Sequence, residues 1–226
     1  MRIHRASSDR PRNEPAPLTP MWKQSRTRIV ISLATLVFGL PVQGRVVDIV
    51  VGVTPNCPEG FQVCWSESYQ ALTELEHVTS VASKPDPYNC TATIQVKDAD
   101  LPPVSRWREQ FEAKMQGRAT FRGVEVTLEG TVAIEGDNLL FRSTDVSASV
   151  ILLPFENKLQ WNFRKRRQRG AEESEKTEYA ELLKAVHAAG KNPVLVRIVG
   201  PLSNRGSNAT VEVRELFLLA PATLPN

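Results

Sequence analysis

From Arg45 onward the apolar residues alternate between a period of two and a period near 3.6, and each switch ends one element and begins another. Val46, Val47, Ile49, Val50 and Val51 form an almost unbroken β-branched run, the pattern of a strand covered by other elements. Val63, Leu72, Leu75 and Val78, with Trp65 and Tyr69 between them, then fit a helical stripe over 61–77. Two short extended pieces follow at 79–83 and 90–96, divided by the turn-forming run Lys84-Pro85-Asp86-Pro87-Tyr88-Asn89. Pro102-Pro103 opens a second helix in which Val104, Trp107, Phe111 and Met115 recur at helical spacing, and another strand begins near Thr120.

This order, β-α-β-β-α-β, is that of the ferredoxin-like split arrangement. The second half has a different rhythm. Val124, Val126 and Leu128, then Val132 and Ile134, then 140–142 and 150–153 read as three antiparallel strands, with Gly136-Asp137-Asn138 as the first hairpin turn. Gly130 inside the first of them suggests a bend or bulge. A helix over 171–189, with Tyr179, Leu182, Leu183 and Val186 on one face, precedes closing strands at 194–199 and 210–218. Three strands, a helix and two strands are the element order of an OB-fold barrel. The expected class is therefore α+β, a ferredoxin-like module at 45–122 followed by an OB-like five-stranded barrel with one helix at 123–226, with one long strand serving both.

Residues 1–44 read as a leader. Arg26 and Arg28 precede the apolar stretch 29–40, which ends at Pro41-Val42-Gln43-Gly44, the layout of a secretory signal peptide. The stretch is shorter than the roughly 20 residues a spanning helix requires, so no stable membrane span is expected after cleavage. Met21 gives a more ordinary signal length than Met1. The leader holds seven Lys/Arg against two Asp/Glu, which leaves 21 against 23 in the remainder, a net of −2. The basic character of the whole chain thus belongs to the leader, and it does not point to a nucleic-acid partner.

Three cysteines in an exported chain permit one disulfide and leave one odd sulfur. Cys57 and Cys64 flank Pro58-Glu59-Gly60 where the first strand gives way to the first helix. Seven positions along an unbroken helix would separate the α-carbons by about 10 Å, beyond the roughly 7 Å that a disulfide tolerates. Pro58 and Gly60 are read instead as a loop that folds Cys57 back, so that a disulfide or a two-sulfur metal site comes within reach. In the split topology the start of the third strand lies beside the end of the first, which places Cys90 at the same edge. Thiolates favour copper(I) or zinc over hard cations, and a thiolate at a helix N-terminus gains from the helix dipole. The alternative is a structural disulfide plus one buried cysteine behaving as a small hydrophobe.

The first module resembles the heavy-metal-associated domain of copper chaperones and metal-transporting pumps. The resemblance rests on the apolar first strand, Gly52-Val53-Thr54 leading into a cysteine-bearing loop, Ala71-Leu72 and Leu75 on the helix, and Val78-Thr79-Ser80-Val81 at the short second strand. Val53 stands where the family has methionine, and six residues rather than two separate Cys57 from Cys64. The resemblance implies one soft metal, copper(I)-like, held by Cys57 and Cys64; the split topology adds Cys90 as a third candidate ligand. The expected function is that of an exported, periplasmic or secreted, metal-handling protein. The alternative is an envelope binding or scaffold protein that contacts a peptide, glycan or other envelope protein through a barrel groove. No clustered acid, base and nucleophile is visible, and the chain is read as non-enzymatic.

Other features read as structural. The run Arg164 to Arg169 is followed by Glu172, Glu173, Glu175 and Glu178, the composition of a self-neutralising loop. Glu125 and Glu129 are expected on the surface, and Trp65, Trp107 and Trp161 in the core or at its rim. His77 ends the first helix, away from the cysteine loop. Asn89-Cys90-Thr91 and Asn208-Ala209-Thr210 fit glycosylation sequons.

Overall fold

The computed structural model describes residues 45–56, 61–82, 86, 89–98, 100–156, 158–162, 164–205 and 208–219; the expected leader and Cys57 lie outside them. Over the described residues the chain is α+β, mostly strands with three helices. Its first elements are β1 (Arg45–Pro55), α1 (Phe61–Thr73), β2 (Val78–Val81), β3 (Thr91–Val96), α2 (Val104–Met115) and β4 (Ala119–Glu135). There follow β5 (Asn138–Arg142), β6 (Val150–Pro154), the two-residue strands β7 (Trp161–Asn162) and β8 (Arg167–Gln168), α3 (Glu173–Ala189), β9 (Val194–Arg205), β10 (Asn208–Val213) and β11 (Glu215–Leu218). No helix among the described residues is long and apolar enough to cross a membrane.

Nine strands make one mixed sheet in the order β11-β9-β10-β6-β5-β4-β1-β3-β2, and a further β9–β4 pairing closes a portion of it into a ring. Every ladder in it is antiparallel except β6–β10, which is parallel. The shared strand is β4: it pairs with β1 along 119–129, with β5 along 131–135 and with β9 along 124–132. From Val126 to Ala133 buried and half-buried residues alternate along it, and from Gly123 to Val126 four in a row are buried. Residues from β1, α2, β4, β5, β6, α3 and β10 join one continuous apolar cluster that includes Val51, Trp107, Phe111, Leu128, Phe141, Leu182 and Val211.

In α2, all four periodic residues, Val104, Trp107, Phe111 and Met115, are buried. The phase of α1 differs from the sequence reading. Val63 is 44 % exposed, and the buried stripe is instead Cys64, Trp65, Ser68, Ala71 and Leu72, continued by Leu75 beyond the helix. Polar Ser68 belongs to that stripe because its hydroxyl donates to the Cys64 carbonyl at 2.7 Å, one turn earlier. The helix ends at Thr73, short of residue 77, where tighter bonds from the Glu74 and Leu75 amides to the Ala71 and Leu72 carbonyls close it.

Gly130 marks no bulge; the registers on both sides of it are regular. It is required by close approach, since a Cβ there would lie 2.6 Å from Phe141 Cζ. The irregularities fall elsewhere, at Val46/Asp48 in β1 and where Gly52 pairs with Gly123 but Val53 pairs with Phe121, leaving Arg122 as the extra residue. The closing strand expected at 210–218 likewise divides at Arg214, and the register to β9 slips by one residue there. The Gly52–Gly123 pair forms a notch in the sheet face into which Leu159 settles: a Cβ on Gly52 would lie 2.7 Å from Leu159 Cδ1 and 2.9 Å from Arg122 Nη2. Gly52→Ala is expected to cost about 2 kcal/mol by overpacking. Urea unfolding checks this, and some of the loss is expected to return in the G52A/L159A double variant.

Candidate functional site

Cys90 stands at the head of β3, and its carbonyl accepts the Val53 N–H of β1 at 2.9 Å, so the end of β1 and the start of β3 do adjoin. The Cys90 side chain is fully buried, and burial pushes its thiol pKa up; Arg122 opposes the shift and Asp86 adds to it. Cys64 is 1 % exposed on the core-facing stripe of α1 and is disulfide-bonded. Cys57 lies outside the described residues. Among those described, no three His, Cys, Asp or Glu side chains group closely enough to hold a metal ion.

What dominates this edge is a residue the sequence reading passed over. As the extra residue of its bulge, Arg122 turns its guanidinium onto the sheet face that carries Leu159. There Nε donates to the Leu159 carbonyl at 2.9 Å, Nη1 to Thr54 Oγ1 at 2.9 Å, and Nη2 to the carbonyls of Cys90 at 3.0 Å and Asn89 at 3.3 Å. Its Cζ lies 5.6 Å from the centre of the Trp161 ring, a cation–π contact. Trp161 is itself tied in, its N–H donating to the Asn89 carbonyl at 3.0 Å. Among the described residues Arg122 pairs with no carboxylate. Burial therefore pushes its pKa down to about 10, with the nearby Cys90 working against that shift, and the group stays charged at neutral pH.

A second charged centre joins β4, the segment before β7, α3 and the β10–β11 break. Glu125, expected on the surface, is 4 % exposed and takes a two-pronged contact from Arg214, with Nε to Oε2 at 2.9 Å and Nη2 to Oε1 at 2.8 Å. Arg214 Nη1 reaches Glu175 Oε1 at 3.4 Å and also bonds Glu215. Lys158, buried, lies 2.6 Å from the same Glu175 oxygen. Burial by itself raises the Glu175 pKa, but the Glu172 N–H at 2.7 Å, together with Lys158 and Arg214, outweighs it and holds the carboxyl below its ordinary value of 4.5. Glu129 is also engaged, by Arg197 at 2.5 Å and Arg45 at 3.4 Å.

A third feature is a groove of about 350 Å³ near the end of β3, walled by Leu101, Pro102 and Trp107 and rimmed by Glu76, Asp98 and Asp100. His77 sits on that rim with its two ring nitrogens 3.1 Å from Glu76 Oε1 and 2.9 Å from Asp98 Oδ2.

In comparisons with known protein families, curated proteins and solved structures, nothing matches this chain.

The structure thus brings Cys90 to the edge predicted for it but turns Cys64 inward, and puts arginines at the two chemically dense points. The Gly52 and Gly123 signals could have flagged a close approach near Arg122; nothing local distinguishes Arg214 from a surface residue. Arg122→Lys keeps the charge but cannot reach four acceptors at once. It is expected to lose about 3 kcal/mol, measured by urea unfolding. For Glu175, a folded pKa below the unfolded one means a contribution complete above about pH 4.5 and lost as pH falls through the folded value. The stability gap between wild type and Glu175→Gln should therefore be widest at neutral pH and close on acidification.

Proposed function

We propose that this chain is an exported, non-catalytic binding or scaffold protein of the cell envelope, in which the cysteines staple the fold. The observation that carries this reading is the state of the two described sulfurs. Cys64 is disulfide-bonded on a core-facing stripe, and Cys90 is a fully buried thiol with a raised pKa. A soft-metal site would need thiolates, and these surroundings disfavour them.

The finer architecture belongs to the same proposal. The antiparallel order β4-β1-β3-β2, with helices after β1 and β3, supports a ferredoxin-like module. The ring β4-β5-β6-β10-β9, with β6–β10 parallel and α3 between β6 and β9, supports an OB-like barrel. On this reading the binding surface is the outer face of β5 and β6, where Leu140 and Ile151 pair in register and remain half-buried beside Leu153. Such a face suits a peptide or glycan laid across the strands. Copper(I) handling, the function implied by the resemblance to heavy-metal-associated domains, is the competing reading.

Native mass spectrometry with thiol counting separates the two. The expected protein is lighter by the two hydrogens that a disulfide removes, exposes its remaining thiol to reagent only on denaturation, and takes up no copper(I) under anaerobic conditions, even after reduction. Uptake of one copper(I) per chain that is lost in the C57S/C64S variant would establish metal handling instead. On a peptide and glycan array, Ile151→Glu should reduce retention while the triple cysteine-to-serine variant retains it.

A further inference from the structure

Four consecutive cations, Arg164, Lys165, Arg166 and Arg167, occupy the end of the β7–β8 hairpin, and all four are exposed. The turn is shaped by backbone interactions: the Lys165 N–H donates to Asn162 Oδ1 at 2.9 Å, and Arg166 holds a φ of +47°. The sequence places four glutamates shortly afterwards as apparent neutralisers, yet the structure commits each elsewhere. Glu172 and Glu175 face Lys158, Glu173 binds Lys176 at 2.5 Å, and Glu178 accepts a backbone hydrogen bond from Leu216. Among the described residues none of the four hairpin cations makes an ion pair.

Unpaired charge of one sign on a small projection calls for an anionic partner, and the rest of the molecule restricts its shape. Apart from these four, residues 45–226 hold 17 basic and 23 acidic residues, so the hairpin is a positive pole on a negative body. A long polyanion laid along the body would meet repulsion beyond the tip. A planar anionic surface touched end-on would meet only the tip, because the attraction fades within a Debye length of about 8 Å at physiological salt. One face of the aromatic ring at the hairpin base, that of Trp161, is already covered by the Arg122 guanidinium.

We propose that the β7–β8 hairpin docks this protein on an anionic lipid bilayer, its guanidinium and ammonium groups contacting headgroup phosphates. Docking by this tip would fix the orientation of the molecule at the bilayer.

The test is co-sedimentation of the full chain with vesicles of phosphatidylglycerol and phosphatidylcholine, and with phosphatidylcholine alone. Three proteins are compared: wild type, R164Q/K165Q/R166Q/R167Q, and the charge-keeping R164K/R166K/R167K. Residues 1–44 are common to all three, so differences report the hairpin. At about fivefold per cation near such a surface, neutralisation should weaken partition to phosphatidylglycerol vesicles by at least about thirtyfold. The charge-keeping variant should stay within about threefold of wild type, high salt should abolish the difference, and thermal unfolding should be the same for all. Equal partition of the wild-type and neutralised proteins overturns the proposal. Hairpin-dependent binding to duplex DNA that vesicles fail to displace overturns it in favour of a nucleic-acid partner.

Discussion

The geometry of the cysteine edge depends on a guanidinium held by backbone rather than by a counter-ion. Arg122 collects carbonyls from the turn before β3 and from the segment leading into β7, with a hydroxyl from β1, and lies against an indole. Each of these bonds has a charged donor and is worth about 1.5–3 kcal/mol net. What matters is that the acceptors belong to three stretches of chain far apart in sequence, so the fork fixes their mutual placement as well as their energy. The Leu159 side chain, seated over Gly52 and Gly123, is the apolar half of the same junction. Together they cover the Gly52–Gly123 notch in the sheet, while Cys90 lies buried in the apolar cluster beside them.

Arg214 solves a different problem at the other side of β4. It too sits at a register slip, and β-bulges commonly re-aim a side chain that a regular ladder would send the wrong way. Its partners, however, are carboxylates, and the cluster alternates in sign: Glu125, Arg214, Glu175, Lys158. Buried pairs of this kind contribute less to net stability than their short distances suggest, because each ion was desolvated first. Their effect lies in uniqueness. Removing one member strands another charge, so α3, β4 and the β10–β11 break admit few alternative arrangements. The contrast between the two arginines follows from surroundings: one is compensated by dipoles and has a depressed pKa, the other by full charges and has a raised one.

How much of this was legible in the sequence follows from the range of the forces involved. The element order was readable because periodicity is a local property; the stripe Val104, Trp107, Phe111 and Met115 is complete within twelve residues. The phase of α1 was not, because Val63 and Cys64 are adjacent and similarly apolar, and only the packing of the finished sheet selects which faces inward. The shared use of β4 could be suspected from its length, whereas its pairing with β9 joins residues far apart in the chain. Glu125 looked like a surface residue because its partner lies 89 positions away. Both arginines escaped notice for the same reason: a bulge is decided by register, and register is a tertiary outcome. The cation-rich hairpin was visible, but its apparent neutralisation by nearby glutamates dissolved once each glutamate was seen to face another partner.

Closing β9 onto β4 has a bearing on how copies of this chain behave when crowded. A nine-stranded open sheet would present long rows of unmatched amides and carbonyls, ready templates for growth by another chain. Here, among the described strands, the ring hides the edges of the long β4 and β9, and the two ends of the strand order are β2 and β11, each four residues long. The first is Val-Thr-Ser-Val, with Thr79 and Ser80 facing solvent. The second carries Phe217 and Leu218 at 49 % and 57 % exposure. Resistance to aggregation thus rests on brevity at both margins, and β11 is the margin at which a lengthened strand would first recruit a neighbour.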